Sequence, residues 1–150
     1  MKDLKKYEVV YILKNNYVGN LSYLWKSKPY VVPITYYYDE AEHCILSYTG
    51  EGHKIEAMRL NNLVSIGVAQ IKSVNNWQSI LIHGKFEELS GTHAKQELHK
   101  FANGVKKVMF IKDNKYPDLI SDFSSKTTSG RAPIVYRIKV SEMMGKCRTC

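Results

Sequence analysis

Cysteine is scarce in this chain: three residues, at positions 44, 147 and 150. An odd and small count excludes a disulfide-built secreted scaffold and points to reduced thiols in a cytoplasm. The segment Cys147-Arg148-Thr149-Cys150 has redox or metal-ligand spacing, but no matching second pair accompanies it. It reads as a frayed tail with two free thiols, and no metal site is expected. Long apolar runs are also missing. None approaches the ~18–20 residues a membrane helix needs, and none follows the charged start Met1–Lys6, so neither a membrane span nor a signal peptide is expected. There is no Gly-x-Ser-x-Gly elbow and no phosphate-binding loop of the Walker type. The carboxylates show no paired spacing, and histidines 43, 53, 83, 93 and 99 form no metal motif. No catalytic residue can be named on these grounds.

What is present suits one cytoplasmic domain spanning 1–150. Hydrophobic residues make up 44% and charged residues 24%, close to ordinary globular usage. A chain of this length buries roughly two-thirds of its unfolded surface and needs no staple. Tyrosine is abundant, 11 residues, which favours half-buried pleated surface. The formal charge of +8 attracts anions, phosphates among them, but the lysines and arginines are dispersed and form no basic arm.

Asp3 is a candidate cap for a first helix running to about Asn15 or Asn16. Leu4, Tyr7 and Tyr11 recur at helical spacing, and Val9, Ile12 and Leu13 widen the stripe. The period then changes to two. Strands are expected over 17–25, 29–38, 43–49, 63–69, 77–87 and 133–140, separated by polar turns. Strands in succession without intervening helices imply antiparallel hairpins. Short helices are expected at 53–60, with Ile55 and Met58 facing the sheet, and at 92–102, with Leu98 and Phe101 in the core. Residues 105–130 read as loops with some helix. Gly84 marks a bend or bulge, and Pro33 an edge, a bulge or a ligand-facing bend.

Three segments hold more than folding demands. In Val32-Pro33-Ile34-Thr35, a proline frees neighbouring backbone groups to bond the edge of a planar heterocycle; an ordinary edge strand would look the same. In Ser47-Tyr48-Thr49-Gly50-Glu51-Gly52-His53-Lys54, hydroxyls precede a glycine turn and a helix start, where free N–H groups and the dipole suit a phosphate. Lys54 opposes that dipole, so an anion would give it a purpose, although a solvated lysine is the plain alternative. His53 is a possible further donor. Trp77 and Ser79 lie on one side of a strand and can line a pocket, or Trp77 merely covers a barrel end.

In their order, these segments resemble the pyridoxamine-phosphate-oxidase-like superfamily of FMN-binding split barrels, in the branch of small flavin-binding proteins that includes nitroimidazole-resistance proteins. The carrying residues are Tyr30-Val31-Val32-Pro33-Ile34, Gly52-His53-Lys54-Ile55-Glu56, Asn61-Asn62-Leu63-Val64-Ser65 and Trp77-Gln78-Ser79-Ile80-Leu81-Ile82-His83-Gly84. A further echo is Tyr136-Arg137-Ile138-Lys139-Val140 leading to Met144-Gly145-Lys146. The resemblance implies a mainly β fold with peripheral helices, a six-stranded antiparallel split barrel, and a homodimer with two FMN sites at its interface. It would set Val32, Pro33, Ile34 and Thr35 along the isoalloxazine and Ser47, Tyr48 and Thr49 beside the ring and ribityl chain. Lys54 would neutralise the phosphate with His53 nearby, and Trp77 and Ser79 would complete the phosphate or ribityl side.

Two departures narrow the activity. Ser47 stands where nitroimidazole-resistance members often carry histidine, which argues against nitroreduction. The arginine- and tryptophan-rich C-terminal motif of true pyridoxamine-phosphate oxidases is missing, which argues against vitamin B6 oxidation. The expected function is an FMN-dependent oxidoreductase of a small molecule. The alternatives are a flavin-binding sensing module without turnover and, further off, a nucleic-acid-binding barrel suggested by the charge and by Tyr36-Tyr37-Tyr38.

Overall fold

The computed structural model describes residues 1–114 and 132–149. In chain order the elements are β1 (Lys2–Asp3), α1 (Lys6–Lys14), β2 (Val18–Trp25), β3 (Lys28–Thr35), β4 (Tyr37–Asp39), β5 (Cys44–Thr49), α2 (His53–Leu60), β6 (Leu63–Ser73), β7 (Asn76–Glu88), α3 (Gly91–Asp113) and β8 (Ile134–Arg148). All strand pairs are antiparallel. The order across the sheet is β3-β2-β6-β7-β8-β5-β4, with β1 added on β8. The path does not return on itself, so the sheet curls into an open, split barrel. Six long strands carry it, as expected, and β1 and β4 are short additions.

The inner face holds the main core. Leu21, Ile45, Ile66, Ile80, Ile82 and Ile138 come from five strands and are fully buried there. Val9, Ile12 and Leu13 of α1 and Ile55 and Met58 of α2 close over it. A second cluster lies under α3, where Phe101 and Val105 meet Cys44, Leu46 and Val135. No helix among the described residues is long and apolar enough to cross a membrane.

Local chemistry fixes the register. A two-residue hairpin turn, Lys26-Ser27, takes positive φ at both positions (49° and 64°), as a type I′ turn requires. It pairs Trp25 with Lys28 and Tyr23 with Tyr30. β3 is the edge of the sheet, which is why Pro29 and Pro33 are tolerated there. Gly84 marks a register shift against β8, where His83 faces Glu142 and Gly84 faces Val140. A Cβ at Gly84 would come within 2.5 Å of the Lys139 carbonyl oxygen, so the bulge needs glycine.

Several expectations fail for identifiable reasons. Asp3 does not cap α1; it pairs with Lys146 in the sheet, and Lys5 is the cap residue, its N–H donating to Glu8 Oε1 at 2.9 Å. Tyr7 and Tyr11 face solvent, 70% and 68% exposed, because the buried stripe of α1 is Val9-Ile12-Leu13. The strand expected over 29–38 breaks at Tyr36, which turns inward and donates from its hydroxyl to the Leu13 carbonyl at 2.7 Å. α3 runs on to Asp113, so 105–113 is helix; residues 115–130 lie outside those described. β8 extends to Arg148, and Cys147 is therefore no frayed thiol. It is buried between β1 and β7 and is disulfide-bonded, whereas Cys44 is free and buried.

Candidate functional site

The β5–α2 junction is the first part of the site. Gly52, in extended conformation, is the cap residue of α2, and no side chain caps the helix start. The first-turn N–H groups point outward at its positive end. Lys54 sits in that turn, half-buried. Burial pushes its pKa below the ordinary lysine value. Its ammonium makes no ion pair or hydrogen bond among the described residues. Arg59 holds Glu51 at 3.0 and 3.2 Å and Glu88 at 2.7 and 3.1 Å. A partly desolvated cation without a counter-charge is unfavourable, and a bound anion would relieve it.

His53, exposed beside Lys54, has a neighbourhood that sequence reading missed. Its Nδ1 lies 2.9 Å from the Tyr23 hydroxyl, and its ring sits 4.8 Å from Tyr30 and 5.1 Å from Trp25, both edge-on. Tyr23 and Tyr30 stack at 5.5 Å. The hairpin register predicts that cross-strand pair, but nothing in the linear sequence brings His53 to it.

Where β3 ends, Ser47 Oγ donates to the Thr35 carbonyl at 2.7 Å, so these two expected site residues do meet. Ser47 is buried opposite Tyr136 on β8. The Tyr136 hydroxyl is buried and makes no hydrogen bond among the described residues. Burial pushes it up to about 12, and the nearby Ser47 hydroxyl, close but outside hydrogen-bond geometry, acts in the opposite direction. Ile34 packs into the core, so only its backbone is available to a ligand, while Val32 is half-buried and Pro33 exposed. Tyr48 turns toward α3, 5.5 Å from Phe101 and edge-on to it; Thr49, half-buried, pairs with Ile134.

The outer face of the sheet is the second part. Strand register puts Pro33 beside Asn20, Gly67 and Leu81, and Ala69 beside Ser79 and Lys146 in the next row. Pro33, Thr35, Trp77 and Ser79 therefore share one face. Its middle is made of small residues, Ser22, Ser65, Gly67, Ala69 and Ser79, and its periphery carries exposed apolar ones, among them Val31 (65%) and Ile71 (74%). Trp77 and Ser79 line a depression of about 580 Å³ on this face, together with Leu4, Met144 and Lys146. Lys146 is paired with Asp3 at 2.5 Å. A larger depression, about 940 Å³, lies elsewhere, beside Tyr7, Tyr11 and Ile111, and contains none of these residues.

Within one chain the two parts stay apart. Lys54 does not line the Trp77–Ser79 depression. Tyr23, which holds His53, lies near the Ser65 level of β6, whereas Ser79 lies at Ala69. Four residues of strand separate those levels by about 13 Å.

Comparison with known proteins bears on this arrangement. A FAD-binding protein from Mesorhizobium loti is 26% identical, with a TM-score of 0.74 over 99% of this chain and 98% of that one. The FAD binding protein from Mycobacterium smegmatis shares the fold at 15% identity, with a TM-score of 0.66 over 99% and 98%. An uncharacterized protein of Rhizobium meliloti (strain 1021) is 26% identical over 121 residues, 79% of this chain and 76% of that protein. The sequence profile described as pyridoxamine 5'-phosphate oxidase matches residues 5–147, and the chain belongs to that family.

Proposed function

We propose that this protein binds flavin, in the form of FMN, between two copies of the chain, and that it acts in the cytoplasm as an oxidoreductase on a small molecule. The observation that carries the reading is Lys54: a half-buried ammonium without a partner among the described residues, at an uncapped helix start. That donor set fits a phosphate monoester. Lys54 and the first-turn amides of α2 would hold the phosphate, and His53 would stand at its side. The backbone of Val32, Pro33, Ile34 and Thr35, braced by Ser47, would meet the edge of the ring. Tyr48 and Thr49 would support the neighbouring strand, and Trp77 and Ser79 of the second copy would close the other side. The flavin supplies the electron transfer, and the protein binds and orients it.

The outer face supports a second copy. Its small central residues permit close approach of another sheet, and its exposed apolar rim favours burial. Pairing would bring the Trp77–Ser79 edge of one chain toward the Lys54 cradle of the other.

The test is an absorbance spectrum of the purified protein, with the chromophore released by denaturation and identified, and a native mass. A yellow dimer releasing FMN, reduced by NADH or NADPH and reoxidised with turnover, is the expected result. Colourless protein that takes up neither FMN nor FAD would end the flavin reading, and a flavin-loaded monomer would end the shared site.

A further inference from the structure

From the rings around His53 we infer a second subsite: an adenine nucleotide binds at the β2–β3 hairpin tip, next to the phosphate cradle. This rests on the proposed flavin site for its neighbourhood: it shares His53 and Lys54 with that site and adds Trp25, Tyr30, Lys26 and Lys28. The platform is Trp25, Tyr30 and His53, backed by Tyr23. Tyr23 is buried, but Tyr30 is 36% exposed, His53 is exposed and Trp25 is half-buried. The hairpin tip thus presents aromatic surface to solvent.

Charge surrounds that surface. Lys26 Nζ lies 5.6 Å from the centre of the Trp25 ring, and Lys28 pairs with Trp25 across the turn. Neither lysine makes an ion pair among the described residues. Lys54, next to His53 in the chain, is a third cation without an ion pair among the described residues. Stacking rings beside cations recognise a base attached to phosphates. Aromatic residues that only sealed the hairpin would not need two lysines at the turn.

Adenine is the base because the common two-part redox cofactors carry it. In FAD it is joined through a diphosphate to the FMN half; in NADH and NADPH it belongs to the reductant that would meet a bound flavin. Both offer the same adenosine diphosphate chemistry to Tyr30, Trp25 and the lysines.

The experiment titrates protein freed of flavin with FMN, FAD and ADP, and FMN-loaded protein with NADPH. Each titration is repeated on Tyr30→Leu and on Lys28→Ala, which lies at an exposed strand end and keeps the test usable if Tyr30→Leu folds poorly. Loss of a stacked ring weakens binding about tenfold. FAD binding about tenfold tighter than FMN, with the advantage lost in the variants, assigns the platform to FAD. Equal FMN and FAD affinities, with NADPH binding weakened about tenfold in the variants, assign it to the reductant. Variant-sensitive ADP binding by a protein that takes no flavin upholds the platform and ends the flavin reading. Flavin binding with no FAD preference, and with ADP and NADPH either unbound or indifferent to both variants, overturns the platform and leaves the flavin site standing. If nothing binds, both fall.

Discussion

Replacing Lys54 with methionine should move stability and binding in opposite directions. In the flavin-free protein the Lys54 ammonium is half-buried and has no counter-ion among the described residues, and burial lowers its pKa. Methionine keeps the aliphatic length and removes the charge. Relief of an unpaired, partly desolvated cation is worth about 1 kcal/mol, the usual gain when a functional strain is removed. For a chain of this size that raises Tm by about 2–4 °C. The same substitution removes a charge-assisted contact to the phosphate, about 1.5–3 kcal/mol, so Kd for FMN should rise about 10–150-fold. Thermal unfolding by circular dichroism and quenching of FMN fluorescence measure the two effects.

The pH dependence has a definite sign. A lysine lowered by burial disfavours its own charged form in the folded, flavin-free state. The destabilisation is fully present below that lowered pKa and disappears as pH rises through it toward 10.5, the unperturbed value. A bound phosphate favours the charged form and draws the pKa back up. FMN affinity should therefore be full below the lowered pKa and fall above it, and Lys54→Met should flatten the profile. A variant that loses thermal stability while binding FMN as well as the native protein would refute the reasoning.

Other perturbations test the frame around the site. Gly84→Ala sets a Cβ 2.5 Å from the Lys139 carbonyl and 2.6 Å from Ile138 Cγ2, at a bulge with no slack; urea unfolding should show a loss of about 1–3 kcal/mol. Tyr136→Phe removes a buried hydroxyl without a hydrogen bond, so flavin-free stability should stay level or rise by up to about 1 kcal/mol. A clear loss would mean that the hydroxyl has a partner in solution. Leu81→Asp puts a charge in the apolar part of the outer face; light scattering should report a monomer, and flavin retention should fall with it.

Much of this architecture is legible in the sequence because its signals are local. Period-two runs bounded by polar turns gave the six long strands, and Pro33 and Gly84 announced an edge and a bulge through their own backbone chemistry. The missed parts depend on contacts between distant segments. The helix expected over 92–102 runs on through Gly104 to Asp113, and a Cβ at Gly104 would fall 2.3 Å from the Tyr37 ring, so the glycine serves close packing. β8 loses its alternation near Ser141 because the register passes from Glu142 to Val140 at the bulge opposite Gly84, leaving one residue unpaired. The helix start at Lys54 was readable from its glycine turn. The rings around His53 were not, since they meet only when the β2–β3 hairpin packs on α2.

Two features are unfavourable for an isolated chain: a half-buried lysine with no partner among the described residues, and an outer face with exposed apolar side chains. A second copy covers the apolar face and leaves Lys54 no better off. It also brings together two molecules of charge +8, which repel each other. An anion alone satisfies Lys54 and leaves the outer face bare. A phosphorylated ring lodged where two sheets meet answers both needs, since its charge offsets the repulsion that pairing creates and its planar body adds surface to the junction. Pairing and ligand binding should therefore strengthen each other, and the dissociation constant of the pair should fall when flavin is added and rise when it is stripped.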